Sequence, residues 1–125
     1  MSAQETANIR NIALGGDTAV GKTALLDALL HAAGALATGA SARGLWLDAD
    51  AAARSSGHTL EAAMVTCDHA GLRLNLVDTP GYADLLGRSL SALPAVDTLA
   101  VVVPAHGVPG RTARRLVESA RQHGQ

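Results

Sequence analysis

The sequence predicts an α/β fold in which a doubly wound, mainly parallel sheet carries helices on both faces. Short aliphatic runs alternate with stretches of helical period, which is the signature of strands linked by crossover helices. A glycine-rich loop stands between the first such strand and the first helix. The run Leu99-Ala100-Val101-Val102-Val103 is continuously aliphatic, as strands are when both sheet faces are covered. At 125 residues, 48% hydrophobic and 17% charged, the chain has aliphatic material for one modest core and makes one domain, 1–125.

In chain order, Ile9, Ile12, Ala13 and Leu14 form the first strand. Residues 16–23 form the loop, and Ala24, Leu25, Leu26, Ala28, Leu29 and Leu30 recur at helical spacing after it. Residues 34–57 show no period and predict a long mobile loop. Thr59 to Thr66 is a weaker strand, expected to pair with Leu72 to Val77 through a turn at Asp68 to Gly71. Arg111 to Gln122 reads as an amphipathic helix with Ala113, Leu116, Val117 and Ala120 on one side and arginines on the other.

Composition excludes several classes. The formal net charge of -1 argues against a basic nucleic-acid arm, and no apolar run approaches the roughly 18 residues that a membrane helix needs. Met1 to Asn11 is polar and lacks the regions of a signal peptide, so the reading is a soluble, cytoplasmic protein with no membrane partner. The single thiol, Cys67, can form no internal disulfide and no cysteine-built zinc site, and the five histidines show no metal-ligand spacing.

Lys22 is the only lysine in the chain, all other basic residues being arginine. It lies in Gly16-Asp17-Thr18-Ala19-Val20-Gly21-Lys22-Thr23, which fits G-x-x-x-x-G-K-[ST], the phosphate-binding loop. The glycines let successive N–H groups turn inward at phosphate oxygens, and the following helix N-terminus adds positive field. Lys22 would reach the outer phosphates and Thr23 would place its hydroxyl on Mg²⁺. The blander reading is a glycine-rich turn with a solvated lysine. Downstream, the strand of Leu72, Leu74, Leu76 and Val77 runs into Asp78-Thr79-Pro80-Gly81. After a phosphate loop, an Asp at a strand end can hold Mg²⁺ and a nearby Gly can bring its N–H to a γ-phosphate; by itself the tetrapeptide is also a common turn composition.

Ile9 to Leu14, the loop, Leu25 to Leu30, Asn75 to Asp84 and Val101 to Val108 together resemble the N-terminal GTPase domain of elongation factor G, and more narrowly the elongation factor G-like paralogues. The resemblance spans almost the whole chain and implies a P-loop NTPase fold, GTP/GDP and Mg²⁺ binding, a ribosomal partner, and GTP hydrolysis in translocation or recycling. It assigns residues 16–23 to the phosphate loop, Asp78 to Gly81 to the γ-phosphate sensor, and Thr59 to a second Mg²⁺-binding position beside Thr23 and Asp78. Tyr82 stands where elongation factor G has a histidine that positions the attacking water. A phenol keeps its proton at neutral pH and is a poor general base there, so weak or altered hydrolysis is expected. Tyrosine is frequent at this place among the G-like paralogues, and Ala19 likewise replaces an aspartate of elongation factor G.

A complete domain of this kind continues into another strand and an N-K-x-D motif that reads guanine; the sequence contains neither. The expectation is a partial domain, its sheet incomplete at the C-terminal edge, marginal by itself and short of base selectivity. Two further readings stay open: a truncated, non-catalytic nucleotide-binding or interaction module, and a phosphate-loop ATPase. The second is disfavoured because such ATPases usually carry a carboxylate pair at the strand end where Asp78-Thr79-Pro80-Gly81 stands. Arg114-Arg115 reads as a solvated helix face, and no sequence-specific nucleic-acid contact is expected.

Overall fold

The structure, a computed structural model, describes residues 6–41 and 63–124. Its elements are β1 (Ile9–Gly15), α1 (Lys22–Ala32), β2 (Ala63–His69), β3 (Leu72–Asp78), α2 (Leu86–Ala92), β4 (Thr98–Val101) and α3 (Arg111–His123). Short 3₁₀ turns cover Thr6–Asn8, Ala83–Leu85 and Leu93–Ala95. Thr59, with the neighbouring His58 and Trp46, lies outside the described residues. Among the described residues no helix is long and apolar enough to cross a membrane.

The strands lie in the order β2-β3-β1-β4, with β1 parallel to both β3 and β4 and β2 antiparallel to β3. The mainly parallel sheet predicted from sequence is therefore present, with one antiparallel edge. Ile12 pairs with Leu76, Leu14 with Asp78 and Gly15 with Val101, which brings the C-terminal ends of β1, β3 and β4 to the same end of the sheet. That end is where parallel α/β sheets collect their binding loops.

The expected hairpin forms, with a tighter turn than the predicted Asp68 to Gly71. β2 runs on to His69, and only Ala70 and Gly71 connect it to β3, at φ +51° and +79°. Two positive φ values are what a two-residue type I′ connection demands. β4 is shorter than the Leu99 to Val103 run. Val102 still donates its N–H to the Gly15 carbonyl at 2.8 Å, then the chain leaves the sheet and Val103 is exposed. No strand covers the outer side of β4 among the described residues; Thr98 is exposed, and Leu99, Ala100 and Val101 are half-buried rather than enclosed.

Alternation along β1 splits the core into two layers. Ile12 and Leu14 face α1, where Leu26 and Leu30 close over Leu76 and Cys67. Lys22, Leu26 and Leu30 are spaced four apart and are the buried stripe of α1. On the other face α3 turns Ala113, Leu116 and Ala120 inward and leaves its arginines exposed, as the sequence pattern predicts; Thr112 joins the buried side, and Val117, expected there, is half-buried. Its approach is close: a Cβ on Gly15 would lie 2.8 Å from Leu116 Cδ1 and 3.1 Å from Leu99 Cδ1. Gly124, at φ +75°, ends α3 in the left-handed conformation usual after a helix.

The sequence reading placed no element between Gly81 and Leu99, yet α2 forms there and packs against α3. Its one fully buried residue is Ser89, so the apolar stripe that marks a helix is interrupted at the position that faces inward.

Candidate functional site

The site grows out of the end of β1. Gly16 takes φ +141°, and a Cβ there would fall against the Val102 carbonyl oxygen, so the turn and the close pass of the β4 connection both require glycine. Gly21, at φ +99°, is the N-cap of α1 and supplies no side-chain cap, which leaves the first N–H groups of the helix pointing into the loop. Between them Ala19 sits at φ +61°, a conformation that asparagine and aspartate tolerate better than alanine. Thr18 and Ala19 are exposed, and Val20 is half-buried.

Lys22 opens α1 with only 8% of its surface exposed. Its Nζ donates to the Asp17 carbonyl at 2.7 Å and the Gly16 carbonyl at 3.2 Å, which holds the ammonium across the mouth of the loop. Burial pushes its pKa below that of an ordinary lysine, while the carboxylates of Asp78 and Asp17 pull it back up. One residue on, the Thr23 hydroxyl donates to Asp78 Oδ2 at 3.1 Å across 55 residues of sequence. Asp78 is 1% exposed at the end of β3. A hydroxyl beside a carboxylate is a hard-oxygen donor pair of the kind Mg²⁺ takes. Among the described residues no three His, Cys, Asp or Glu side chains converge, so an ion held here would complete its shell with water or phosphate oxygens.

The rest of Asp78-Thr79-Pro80-Gly81 is fastened from several sides. Thr79 gives both its N–H (3.1 Å) and its hydroxyl (2.8 Å) to the Leu14 carbonyl, which fixes the end of β3 against β1. Its side chain is thus turned to the sheet rather than to the mouth of the loop. The Pro80 carbonyl accepts from the buried Ser89 hydroxyl at 2.8 Å. Gly81 lies so close to the loop that a Cβ would meet Lys22 Nζ and sit 2.8 Å from the Asp17 carbonyl oxygen. Tyr82 follows, half-buried, and its carbonyl accepts from the Leu85 N–H at 3.0 Å to start the next turn.

The fold therefore brings residues 16–23 and 78–81 together, as the two motifs predict, with Tyr82 at their border. Two contacts escaped the sequence reading. Ser89 looks like any helix serine. The Asp17 carboxylate accepts from the Gly110 N–H at 2.9 Å and the Thr112 N–H at 3.1 Å, a pairing across more than 90 residues that no local pattern reveals.

The model of the Elongation factor Tu GTP binding domain family matches residues 7–125. The chain is 37% identical to elongation factor 2 of Methanosarcina mazei over 92% of its own length and 16% of the relative's. It is 34% identical to the elongation factor G-like protein of Mycobacterium tuberculosis, over 98% of this chain and 18% of that protein. Its fold superposes on a crystallised protein of Thermus thermophilus with a TM-score of 0.80 and 31% identity, covering 94% of this chain and 18% of that one. The chain thus spans less than a fifth of the length of these relatives. The glycine-rich loop, the Asp-Thr-Pro-Gly segment and the four-stranded open sheet all agree with this match, and the chain belongs to the GTP-binding domain family of translation elongation factors.

Proposed function

We propose that the chain binds a guanine nucleotide with Mg²⁺ through residues 16–23 and 78–81, as the nucleotide-binding part of a longer elongation factor G-like protein that hydrolyses GTP on the ribosome in translocation or recycling. A cytoplasmic location accords with that work. The observation that carries the reading is the convergence of Lys22, Thr23 and Asp78 at one loop. The loop N–H groups and the α1 N-terminus would cradle phosphate, with Lys22 releasing its carbonyl partners to reach the outer phosphates. Thr23 and Asp78 would hold Mg²⁺, with Thr59 as a further ligand; the bound ion would neutralise phosphate charge. Gly81 would offer its N–H to the γ-phosphate.

Titration of the 125-residue chain with Mg·GDP and Mg·ADP, beside Lys22→Ala, tests the reading. Mg·GDP binding that is lost in the variant supports it; preference over Mg·ADP points to base contacts other than the N-K-x-D motif, and equal binding to phosphate recognition alone; no binding by the unaltered chain overturns it. A second reading, a module that binds nucleotide with little hydrolysis, rests on Tyr82 standing where elongation factor G has histidine. GTP turnover measured with and without ribosomes separates the two.

A further inference from the structure

Asp17 is held at three points. Its carbonyl accepts from Lys22 Nζ at 2.7 Å. Its backbone lies against Gly81, where a Cβ would come within 2.8 Å of the Asp17 carbonyl carbon and oxygen. Its carboxylate reaches away from the loop, Oδ2 to the Gly110 N–H at 2.9 Å and Oδ1 to the Thr112 N–H at 3.1 Å.

Gly110 is the N-cap of α3 and has no side chain to cap it, so Asp17 does that work from the other end of the domain. The fit leaves no room: a Cβ on Gly110, whose φ of -73° any residue could adopt, would overlap the carboxylate. An aspartate one residue inside a phosphate cradle should oppose the binding of an anion. Here two N–H donors and the positive end of α3 take up its charge.

We propose that Asp17 is a positioning residue whose carboxylate ties the phosphate loop to the first turn of α3, so that the seating of α3 on the sheet sets the loop's affinity for the nucleotide phosphates. This rests on the nucleotide reading above. Displacing α3 would draw on Asp17, and through its carbonyl on Lys22; a partner that grips α3 thus has a direct physical route to the phosphate site.

The test is a cycle of Mg·GDP titrations on the full chain: unaltered, Asp17→Asn, Asp17→Ala, Gly110→Ala and the double variant Asp17→Ala/Gly110→Ala, with far-UV circular dichroism as the folding control. Asp17→Ala is expected to weaken binding roughly tenfold or more, within the usual range of coupling between sites. Asp17→Asn, which keeps one acceptor, is expected to fall between and carries the test if the alanine variant does not fold. Gly110→Ala is expected to weaken binding in the unaltered background and to have little effect once the carboxylate is gone. Unchanged affinity in both Asp17 variants, with Lys22→Ala still unable to bind, overturns the proposal and leaves the nucleotide reading standing. So does an equal effect of Gly110→Ala in both backgrounds. If the unaltered chain binds no Mg·GDP, the nucleotide reading fails and the affinity role of Asp17 fails with it. Hydrogen exchange of the Gly110 and Thr112 amides then tells whether the tie itself exists, by faster exchange in Asp17→Ala.

Discussion

Lys22 shows what one side chain gives up to stand in this site. Burial lowers its pKa from lysine's ordinary 10.5, despite the nearby carboxylates of Asp78 and Asp17. Between the lowered folded value and 10.5 the unfolded chain binds more protons than the folded one. The ammonium therefore detracts from stability below the folded value, and the penalty is relieved as pH rises toward the unfolded value. Comparison of the chain with Lys22→Met by urea unfolding at neutral pH and near pH 10 should show the stability difference moving in favour of lysine at the higher pH. A difference that does not change with pH would mean that the ammonium is as well solvated in the fold as outside it. The same burial suits the phosphate contact proposed for Lys22, since an anion at the loop would restore what desolvation removed.

At the scale of elements, the β2–β3 turn carries a mismatch between sequence and geometry. Ala70 holds φ +51° in a two-residue connection whose favoured sequence is Asn-Gly, and Gly71 already supplies the second half. Ala70→Asn is expected to stabilise the chain by about 0.5–1 kcal/mol, with thermal melting as the measurement. An unchanged melting temperature would indicate that this hairpin does not set the stability of the sheet, and a lower one that asparagine is strained where Ala70 stands. The turn also marks how far the sequence could be read. A strand, loop and helix around residues 16–23 were legible because each signal is local: aliphatic run, glycines, then leucines at helical spacing. Asp78 was legible because it ends a strand. α2 was not, since Ser89 sits where a leucine would have announced a buried face, and its purpose is to hold the Pro80 carbonyl. The ends of β2 and β4 slipped because strand limits depend on neighbours: β2 follows β3 to His69, and β4 stops where β1 gives way to Gly16.

For the whole molecule, the site joins β1, α1, β3 and α3, so ligand binding should be felt as global stability. If Mg·GDP binds the folded chain alone, a concentration one hundred times its Kd adds about 2.7 kcal/mol, or on the order of 10 °C in melting temperature. A thermal scan across GDP concentrations checks this, with Lys22→Ala expected to show no shift. The two faces of the sheet contribute unequally to the site. α1 brings Lys22 and Thr23 directly, whereas the start of α3 meets it through the backbone N–H groups of Gly110 and Thr112 that the Asp17 carboxylate accepts. That last contact has a consequence in time. A ribosome makes residues 16–23 early, but their shape waits for Asp78, and the Asp17 carboxylate waits for Gly110 and Thr112. A nascent chain that has emerged only as far as β3 carries every letter of the loop motif without its anchor. On the proposed function, the loop would reach its anchored shape only once the first turn of α3 has been made.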